Sequence, residues 1–330
     1  MFTNAAAAAI ARASSMTPAV LRARASSSSA VAATAQSDIC RVTVIGGGQM
    51  GSGIAQVAAM KKHQVTLVDV SQEALDRGKG YMSKSLKRVA KKKFPEDAKA
   101  QEQFVEEALS HVSLSTNALA SVGKAELVVE AVVENLKAKQ EIFSTVAQAT
   151  PDNAILASNT SSLPIAKIAA PLTLPQRKRF IGLHFFNPVP QMKLVEVVRT
   201  DETEQKTVDD AIAFVKGIGK APAVCKDTPG FIVNRLLLPY MMESIRLLER
   251  DVASARDIDT AMKLGAGYPM GPFELCDYVG LDTIKFIVDG WYKEGAGLKG
   301  NKLFESSKKL DELVEAGHLG VKSGKGFYDY

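Results

Sequence analysis

A cluster of glycines between a strand-like and a helix-like segment constrains the fold of this chain more than any other feature. The β-branched segment 41–45 leads into Gly46-Gly47-Gly48-Gln49-Met50-Gly51, and small apolar residues at helical spacing follow. Gly46, Gly48 and Gly51 have the spacing that allows a tight turn, close approach of a diphosphate and close packing of a helix on a strand. The pattern predicts a βαβ unit that binds a dinucleotide.

An acidic residue at the end of the next strand indicates which dinucleotide. The strand-like segment 65–68 is followed by Asp69, which lies eighteen residues beyond Gly51. A carboxylate at this point hydrogen-bonds both ribose hydroxyls and repels a 2′-phosphate. Residues 70–72 contain no arginine, so the context favours NAD over NADP. A glycine turn that holds no ligand is the alternative.

A long segment, residues 71–111, separates this strand from the next sheet-like sequence. Apolar residues recur at helical spacing, Phe94-Pro95-Glu96-Asp97 interrupts them, and a second helical pattern follows. The segment therefore predicts a helical hairpin insertion. Its first arm is rich in lysine and arginine, and Ser85 and Lys92 lie two turns apart on one face. That face is either a solvated surface or a site for the phosphates of a large anion.

Two further strand patterns end in polar residues. Residues 127–133 read as a strand that ends at Glu134, and residues 154–157 lead into Ser158-Asn159-Thr160-Ser161-Ser162. Ligands of doubly wound sheets bind beyond the carboxyl ends of the strands, where Ser161 would face substrate or nicotinamide. The same residue types also form ordinary turns and helix caps.

A strand, a turn and a strand follow between Arg179 and Val198. The apolar runs 180–186 and 192–198 flank two prolines, which predicts an antiparallel pair. Pairing about residue 190 places His184 opposite Glu196, with Cβ atoms about 5 Å apart. A carboxylate on one ring nitrogen fixes the tautomer and leaves the other nitrogen as a general base. A core histidine satisfied by a nearby acid is the alternative.

The spacing of apolar residues changes from strand-like to helical after Pro229-Gly230. This change predicts an all-α C-terminal domain over residues 228–330. A long apolar helix pattern runs from Phe231 to Glu249, with a kink at Pro239. Asn234 interrupts that pattern and either reaches the cleft or makes a polar helix contact. The apolar character of this half predicts a homodimer interface.

The first 37 residues differ in composition from the rest of the chain. They contain three arginines, many alanines and serines, and no acidic residue, which is typical of a transit peptide for the mitochondrial matrix. A chloroplast address and a disordered tail are the alternatives. The predicted domains are then residues 1–37, a transit peptide; 38–227, a Rossmann-type NAD-binding domain; and 228–330, a helical domain for substrate binding and dimerisation.

Composition excludes several classes of protein. Three of the five net positive charges belong to residues 1–37, so the basic balance is no argument for nucleic acid. No apolar run reaches the length of a membrane span. Three scattered cysteines are too few for a disulfide framework or a metal cluster, and they fit a reducing compartment.

These motifs together resemble the short-chain L-3-hydroxyacyl-CoA dehydrogenases of mitochondrial fatty-acid β-oxidation. The resemblance runs from about Asp38 to Tyr330. The matching stretches are Gly46–Gly51, Ser158–Leu163, Leu183–Pro190 with Glu196, Asp227–Arg235 and Met262–Glu274. Segments 162–180 and 294–309 depart from the family pattern, and neither contains a predicted catalytic residue.

The resemblance implies a set of residue roles. His184 would be the general base and Glu196 its orienting partner, while Ser161 and Asn234 would position the substrate. Residues implied around NAD are Gly46, Gly48, Gly51, Asp69, Glu134, Lys139, Ser161, Asn187 and Lys322. Residues implied at coenzyme A are Ser85, Lys92 and Ser161.

The reaction implied is NAD-dependent oxidation of (S)-3-hydroxyacyl-CoA to 3-ketoacyl-CoA. One alternative is a biosynthetic 3-hydroxybutyryl-CoA dehydrogenase that uses NADPH, against which Asp69 argues. The other is a non-catalytic NAD-binding protein on the same fold, which would not need the complete set of polar residues.

Overall fold

A mostly parallel sheet forms the larger part of the molecule. The computed structural model describes residues 39–330, so the predicted transit peptide lies outside the described residues. The strands of the sheet are β1 (Arg41–Ile45), β2 (Gln64–Val68), β3 (Val112–Ser115), β4 (Leu127–Glu130), β5 (Ile155–Ser158), β6 (Phe180–Phe185), β7 (Leu194–Arg199) and β8 (Ala221–Lys226).

The strand order over residues 39–330 is β3-β2-β1-β4-β5-β6-β7-β8. All neighbours from β3 to β6 are parallel, β7 runs antiparallel to β6, and β8 is parallel to β7. The order reverses between β1 and β4, which is where doubly wound sheets bind their ligands. The predicted Rossmann-type fold is confirmed.

Helices connect the strands and cover both faces of the sheet. They are α1 (Gln49–Ala59), α2 (Gln72–Lys93), α3 (Ala98–Ser110), α4 (Ala118–Val122), α5 (Leu136–Val146), α6 (Ile165–Ala169), α7 (Leu174–Lys178) and α8 (Gln205–Gly217). Side chains of α1, α2 and α8 pack in one buried cluster, and those of α5 and α6 pack in another on the opposite face. The predicted helical hairpin is the pair α2 and α3, which the break at Phe94–Asp97 separates.

The C-terminal part is helical and has its own apolar core. Its helices are α9 (Val233–Glu249), α10 (Ala255–Ala266), α11 (Pro272–Val279), α12 (Leu281–Glu294) and α13 (Lys308–Glu315), with short 3₁₀ segments at Lys302–Phe304 and Val321–Ser323. Pro239 lies inside α9, as expected. No helix within residues 39–330 is long and apolar enough to cross a membrane.

Several predicted element boundaries are wrong, among them the start of β7, which lies at Leu194 rather than at Met192. Strand β4 ends at Glu130 rather than at Glu134, because the Glu130 carboxylate accepts the backbone N–H of Val132 at 2.7 Å and turns the chain away from the sheet. Helix α9 begins at Val233 rather than at Phe231, because Phe231 has a φ of 50° and cannot continue a right-handed helix.

Candidate active site

The glycine turn has the geometry of a dinucleotide cradle. A Cβ atom on Gly51 would lie 1.9 Å from the carbonyl oxygen of Gly46, so only glycine permits this close packing of α1 on β1. A Cβ on Gly48 would meet no atom within 4 Å, which leaves the backbone there open to a ligand. Helix α1 begins at Gln49, and its free N–H groups point toward that space. The residues present therefore fit a bound diphosphate.

A cleft of about 770 Å³ extends from this turn. Gly46, Gly48 and Asp69 line it, together with apolar residues of the β4–α5 region that suit an adenine ring. The Asp69 carboxylate is held in place by the N–H of Gly47 at 2.7 Å and by the N–H of Ser71 at 3.3 Å. Asp69 thus lies where it would hydrogen-bond the ribose hydroxyls of a dinucleotide.

A second cavity, of about 380 Å³, adjoins the first, because Ala131 and Val132 line both. Polar residues from four separate segments of the chain line it. The predicted site residues that line it are Glu134, Ser161, His184, Asn187 and Asn234.

The predicted pairing of His184 and Glu196 is confirmed. The two residues face each other in the antiparallel register of β6 and β7, and His184 Nδ1 lies 2.7 Å from Glu196 Oε2. Both are buried, with exposed fractions of 6% and 0%. The imidazole also packs against Phe186 and Phe231, with ring centroids 4.4 and 5.7 Å away.

The other oxygen of Glu196 binds the start of α9. Oε1 accepts the backbone N–H groups of Ile232 at 3.0 Å and Val233 at 2.9 Å. Burial alone would raise the pKa of Glu196, but the hydrogen bonds from His184 and from these N–H groups lower that pKa below its ordinary value. The carboxylate is therefore ionised and accepts the Nδ1 proton, which leaves Nε2 of His184 as the ring nitrogen available to a substrate.

Asn234 and Ser161 lie together at the cavity. The Asn234 side-chain amide donates to the Ser161 carbonyl oxygen at 3.4 Å, and this contact links α9 to the loop that follows β5. Sequence reasoning missed the role of Asn159 in this loop. Its side-chain oxygen accepts the N–H of Phe185 at 2.9 Å and so ties the end of β6 to the polar loop. The polar run 158–162 was the available signal.

Glu134 organises the same loop. Its Oε1 accepts the Thr160 hydroxyl at 2.5 Å and the backbone N–H groups of Ser161 and Ser162 at 3.0 and 3.1 Å. Burial alone would raise the pKa of Glu134, but the Thr160 hydroxyl and the Lys139 ammonium group lower that pKa overall. Glu134 therefore holds Ser161 in position as an ionised group.

Lys139 does not line the smaller cavity but contacts Glu134, which does. Its ammonium group is 2.6 Å from Glu130 and 3.2 Å from Glu134, and the side chain is 1% exposed. The Glu130 carboxylate also accepts the Ser158 hydroxyl at 2.6 Å. In this structure Lys139 contacts the carboxylates that shape the site and lines neither cavity.

Six predicted site residues line neither cavity: Gly51, Lys139 and Glu196, which are described above, and Lys322, Ser85 and Lys92. Lys322 forms an ion pair with Asp282 at 2.5 Å in the helical part. Ser85 and Lys92 lie on α2, where Ser85 is half-buried and Lys92 is exposed. The N-terminal part of the same helix contributes Arg77 to the lining of the larger cleft, a residue that inspection of positions 70–72 did not find.

The described residues include no cluster of histidine, cysteine, aspartate or glutamate that could hold a metal ion. The site thus consists of a dinucleotide cleft and an adjoining cavity with a buried histidine–carboxylate pair. Such an arrangement can take a proton from a group placed next to the cofactor.

Comparison with known proteins agrees with this arrangement. A family model described as 3-hydroxyacyl-CoA dehydrogenase, NAD binding domain, matches residues 41–228. A second model, 3-hydroxyacyl-CoA dehydrogenase, C-terminal domain, matches residues 230–330.

Individual relatives match over nearly the whole chain. The chain is 54% identical over 311 residues to hydroxyacyl-coenzyme A dehydrogenase, mitochondrial, of Sus scrofa, covering 94% of this chain and 98% of the relative. It is 56% identical over 306 residues to the protein of that name in Homo sapiens, covering 92% and 96%. The crystal structure of (S)-3-hydroxybutyryl-CoA dehydrogenase from Ralstonia eutropha matches with a TM-score of 0.82 at 37% identity, covering 89% of this chain and 99% of that chain. The chain therefore belongs to the 3-hydroxyacyl-CoA dehydrogenase family.

Proposed function

We propose that this protein oxidises (S)-3-hydroxyacyl-CoA thioesters to 3-ketoacyl-CoA with NAD, in fatty-acid β-oxidation, and that His184 is the general base. The observation that carries the proposal is the buried pair of His184 and Glu196 in a cavity that adjoins the dinucleotide cleft. The 54–56% identity to two mitochondrial hydroxyacyl-coenzyme A dehydrogenases supports the same substrate class.

The mechanism follows from the hydrogen bonds of the pair. Nε2 of His184 takes the proton of the substrate's C3 hydroxyl while the hydrogen on C3 leaves with its electron pair. NAD, when bound, supplies the acceptor for that hydride. Glu196 stabilises the imidazolium that forms, and in the reverse reaction the imidazolium returns the proton as an acid. A positioned base of this kind contributes about 10² to 10⁴ in rate.

Other residues position the reactants. Ser161 and Asn234 would orient the C3 oxygen, because both line the cavity beside His184. Gly46, Gly48, Gly51 and Asp69 would hold NAD at the larger cleft.

The remaining assignments rest on the family resemblance. Asn187 and Glu134 line the smaller cavity and would contact the nicotinamide end. Lys139 would act on that end through Glu134, and Lys322 would approach NAD from the helical part. Ser85 and Lys92 would bind the phosphates of coenzyme A from the exposed face of α2.

Both alternatives are less well supported. A biosynthetic 3-hydroxybutyryl-CoA dehydrogenase that uses NADPH would place a 2′-phosphate against Asp69, which lines the cleft. The identity to bacterial proteins named 3-hydroxybutyryl-CoA dehydrogenase is also lower, at 37% to 44%. A non-catalytic protein would have no need to retain His184, Glu196, Ser161 and Asn234 at one cavity.

Localisation and assembly form part of the same proposal. Residues 1–37 would direct the chain to the mitochondrial matrix, residues 38–227 would form the NAD-binding domain, and residues 228–330 would bind substrate and form a homodimer. Fusion of residues 1–37 to a fluorescent protein tests whether they direct a protein to mitochondria. Cytosolic fluorescence from that fusion would contradict it.

The activity is tested by following NADH consumption with acetoacetyl-CoA. NADPH and free acetoacetate serve as controls, and both should give much slower turnover. Equal rates with free acetoacetate would overturn the coenzyme A assignment.

The base assignment is tested by His184→Ala. This variant should lose about 10² to 10⁴ in kcat, because no other group replaces the imidazole. The Kd for NADH, measured by fluorescence titration without substrate, should change little. Wild-type turnover in this variant would refute the assignment of His184 as the base.

A further inference from the structure

The dinucleotide cleft is lined by one positively charged side chain whose presence neither the proposed reaction nor the glycine turn explains. Among the described residues that line the cleft, Arg77 is the one positively charged side chain, whereas Asp69 and Glu141 are acidic. The charged side chains that line the cleft therefore sum to −1 with Arg77 and to −2 without it. A dinucleotide carries its negative charge on the diphosphate, so this balance makes the sign of residue 77 important.

Helix α2 places Arg77 beside the glycine turn. A Cβ on Gly78 would lie 2.7 Å from the carbonyl oxygen of Gly47, and a Cβ on Gly47 would lie 3.2 Å from the carbonyl oxygen of Ala74. Ala74 and Gly78, which flank Arg77 on the helix, thus both pack on the glycine turn. Ala74, Arg77 and Tyr81 are spaced by three and four residues, share one helical face and all line the cleft.

The Arg77 guanidinium has no competing partner of its own. It forms no hydrogen bond or ion pair within residues 39–330, and the side chain is exposed to the cleft. Glu73, one turn earlier, is the acid whose pKa it helps to lower, but the main cause of that shift is the hydrogen bond from Ser71. The guanidinium donors are therefore free for a ligand.

We propose that Arg77 binds the diphosphate of the dinucleotide from the α2 side of the cleft, opposite the N-terminus of α1. The N-terminus of α1 supplies backbone N–H groups and a partial positive charge, and Arg77 adds a full charge with a planar set of donors that matches phosphate oxygens. This assignment builds on the NAD binding described above and extends it to a residue outside the glycine turn. With Arg77 in this position, Asp69 is the main group that repels the 2′-phosphate of NADP, because the Arg77 guanidinium would otherwise attract that phosphate.

The assignment is tested by Arg77→Gln with Lys79→Gln as a matched control. Lys79 is an exposed cation two residues along the same helix, but it lines a different cavity. Both changes remove one positive charge, so they differ only in which cavity loses it. The Kd for NADH is measured by fluorescence titration without acyl substrate, over a range of salt concentrations.

Arg77→Gln should raise the Kd for NADH about tenfold, as expected for the loss of one charge-assisted hydrogen bond. It should also reduce the salt dependence of that Kd, and Arg77→Lys should restore part of the affinity. The KM for acetoacetyl-CoA and the Tm should stay near the wild-type values. Lys79→Gln should leave all of these quantities unchanged.

Two results would overturn the proposal. Equal Kd values for NADH in the two glutamine variants would show that Arg77 does not contact the dinucleotide. A raised KM for acetoacetyl-CoA with an unchanged Kd for NADH would assign Arg77 to the phosphates of coenzyme A, together with Ser85 and Lys92 on the same helix. Because the titration needs no turnover, it separates failure of this proposal from failure of the proposed reaction.

Discussion

Glu196 receives hydrogen bonds from three groups in two distant parts of the chain. One oxygen faces the imidazole of His184, and the other faces the N–H groups of Ile232 and Val233. Each oxygen therefore has a defined partner. This division determines what an amide at position 196 would do.

Glu196→Gln should retain the fold but lose catalysis. The backbone N–H groups need an acceptor, so the amide oxygen should occupy the Oε1 position and the amide nitrogen should face Nδ1. The imidazole would then carry its proton on Nε2 and could not act as a base. We expect kcat to fall about 10² to 10⁴-fold with little change in KM, measured by steady-state kinetics. A variant with normal kcat would contradict the tautomer argument.

Glu134 links the site to the pH dependence of stability. Its pKa in the folded protein lies below the ordinary value of 4.5, so ionised Glu134 stabilises the fold above that pH. The contribution is lost as pH falls through the lower folded pKa. Glu134→Gln should cost about 1 to 2 kcal/mol at neutral pH, allowing for solvent screening.

Urea denaturation of both proteins between about pH 7 and pH 3 measures this effect. The difference in unfolding free energy should be constant near neutral pH and should shrink below pH 4.5. A difference that is the same at every pH would rule out an ionised Glu134 as its cause.

The turn before α9 is the critical element for the base. Gly230 has a φ of 77°, and a Cβ there would lie 2.2 Å from Trp291 and 2.8 Å from the nitrogen of Arg235. Gly230→Ala should cost about 3 kcal/mol or more in unfolding free energy. It should also lower kcat, because any shift of this turn moves Ile232 and Val233 away from Glu196.

Gly267→Ala is the matched control for that substitution. Gly267 has a φ of 75° but would place its Cβ in open space. Gly267→Ala should lower the unfolding free energy by about 1 kcal/mol, through backbone strain alone, and should leave kcat unchanged. Equal losses in the two variants would contradict the steric argument at Gly230.

The elements differ in how much of them the sequence could predict. The register of β6 and β7 was predictable because the prolines mark the turn and the two-residue period places His184 opposite Glu196. The end of β4 was not, because residues 131–133 stay apolar and the chain turns through a buried side-chain contact of Glu130. Arg77 was missed because a helix, rather than sequence proximity, returns it to the cleft.

Backbone contacts between distant segments were the least predictable part of the site. The N–H groups of Ile232 and Val233 reach Glu196 from more than thirty positions away and leave no side-chain pattern in the sequence. Asn234 was predictable only as an unexpected polar residue in an apolar helix pattern. The candidate site was thus predictable where motifs and strand register carry it, and hidden where main-chain groups or side chains from other elements, such as Arg77 and Asn159, complete it.

At the scale of the whole molecule, the helical part exposes several large apolar side chains. Leu236, Leu264, Tyr278 and Phe286 are exposed, and Phe286 is 79% exposed on α12. These residues are consistent with the proposed homodimer. Phe286→Glu should weaken the dimer at least about tenfold, since it removes apolar contact and places a charge there.

Sedimentation equilibrium measures the dimer dissociation constant. Leu119→Glu is the control, because Leu119 is exposed on α4 in the sheet part and should not affect assembly. A monomeric wild-type protein would contradict the dimer itself. An unchanged dissociation constant in Phe286→Glu would place the interface elsewhere.

The contact between Glu196 and the start of α9 also limits how such a protein can be recombined. The two family models meet between residues 228 and 230, which marks an obvious point for exchanging one half with another protein. A sheet half separated there would keep its dinucleotide cleft but lose the two donors that help hold Glu196. The lining of the dinucleotide cleft thus lies within one half of the chain, whereas the hydrogen bonds of the histidine–carboxylate pair need both halves.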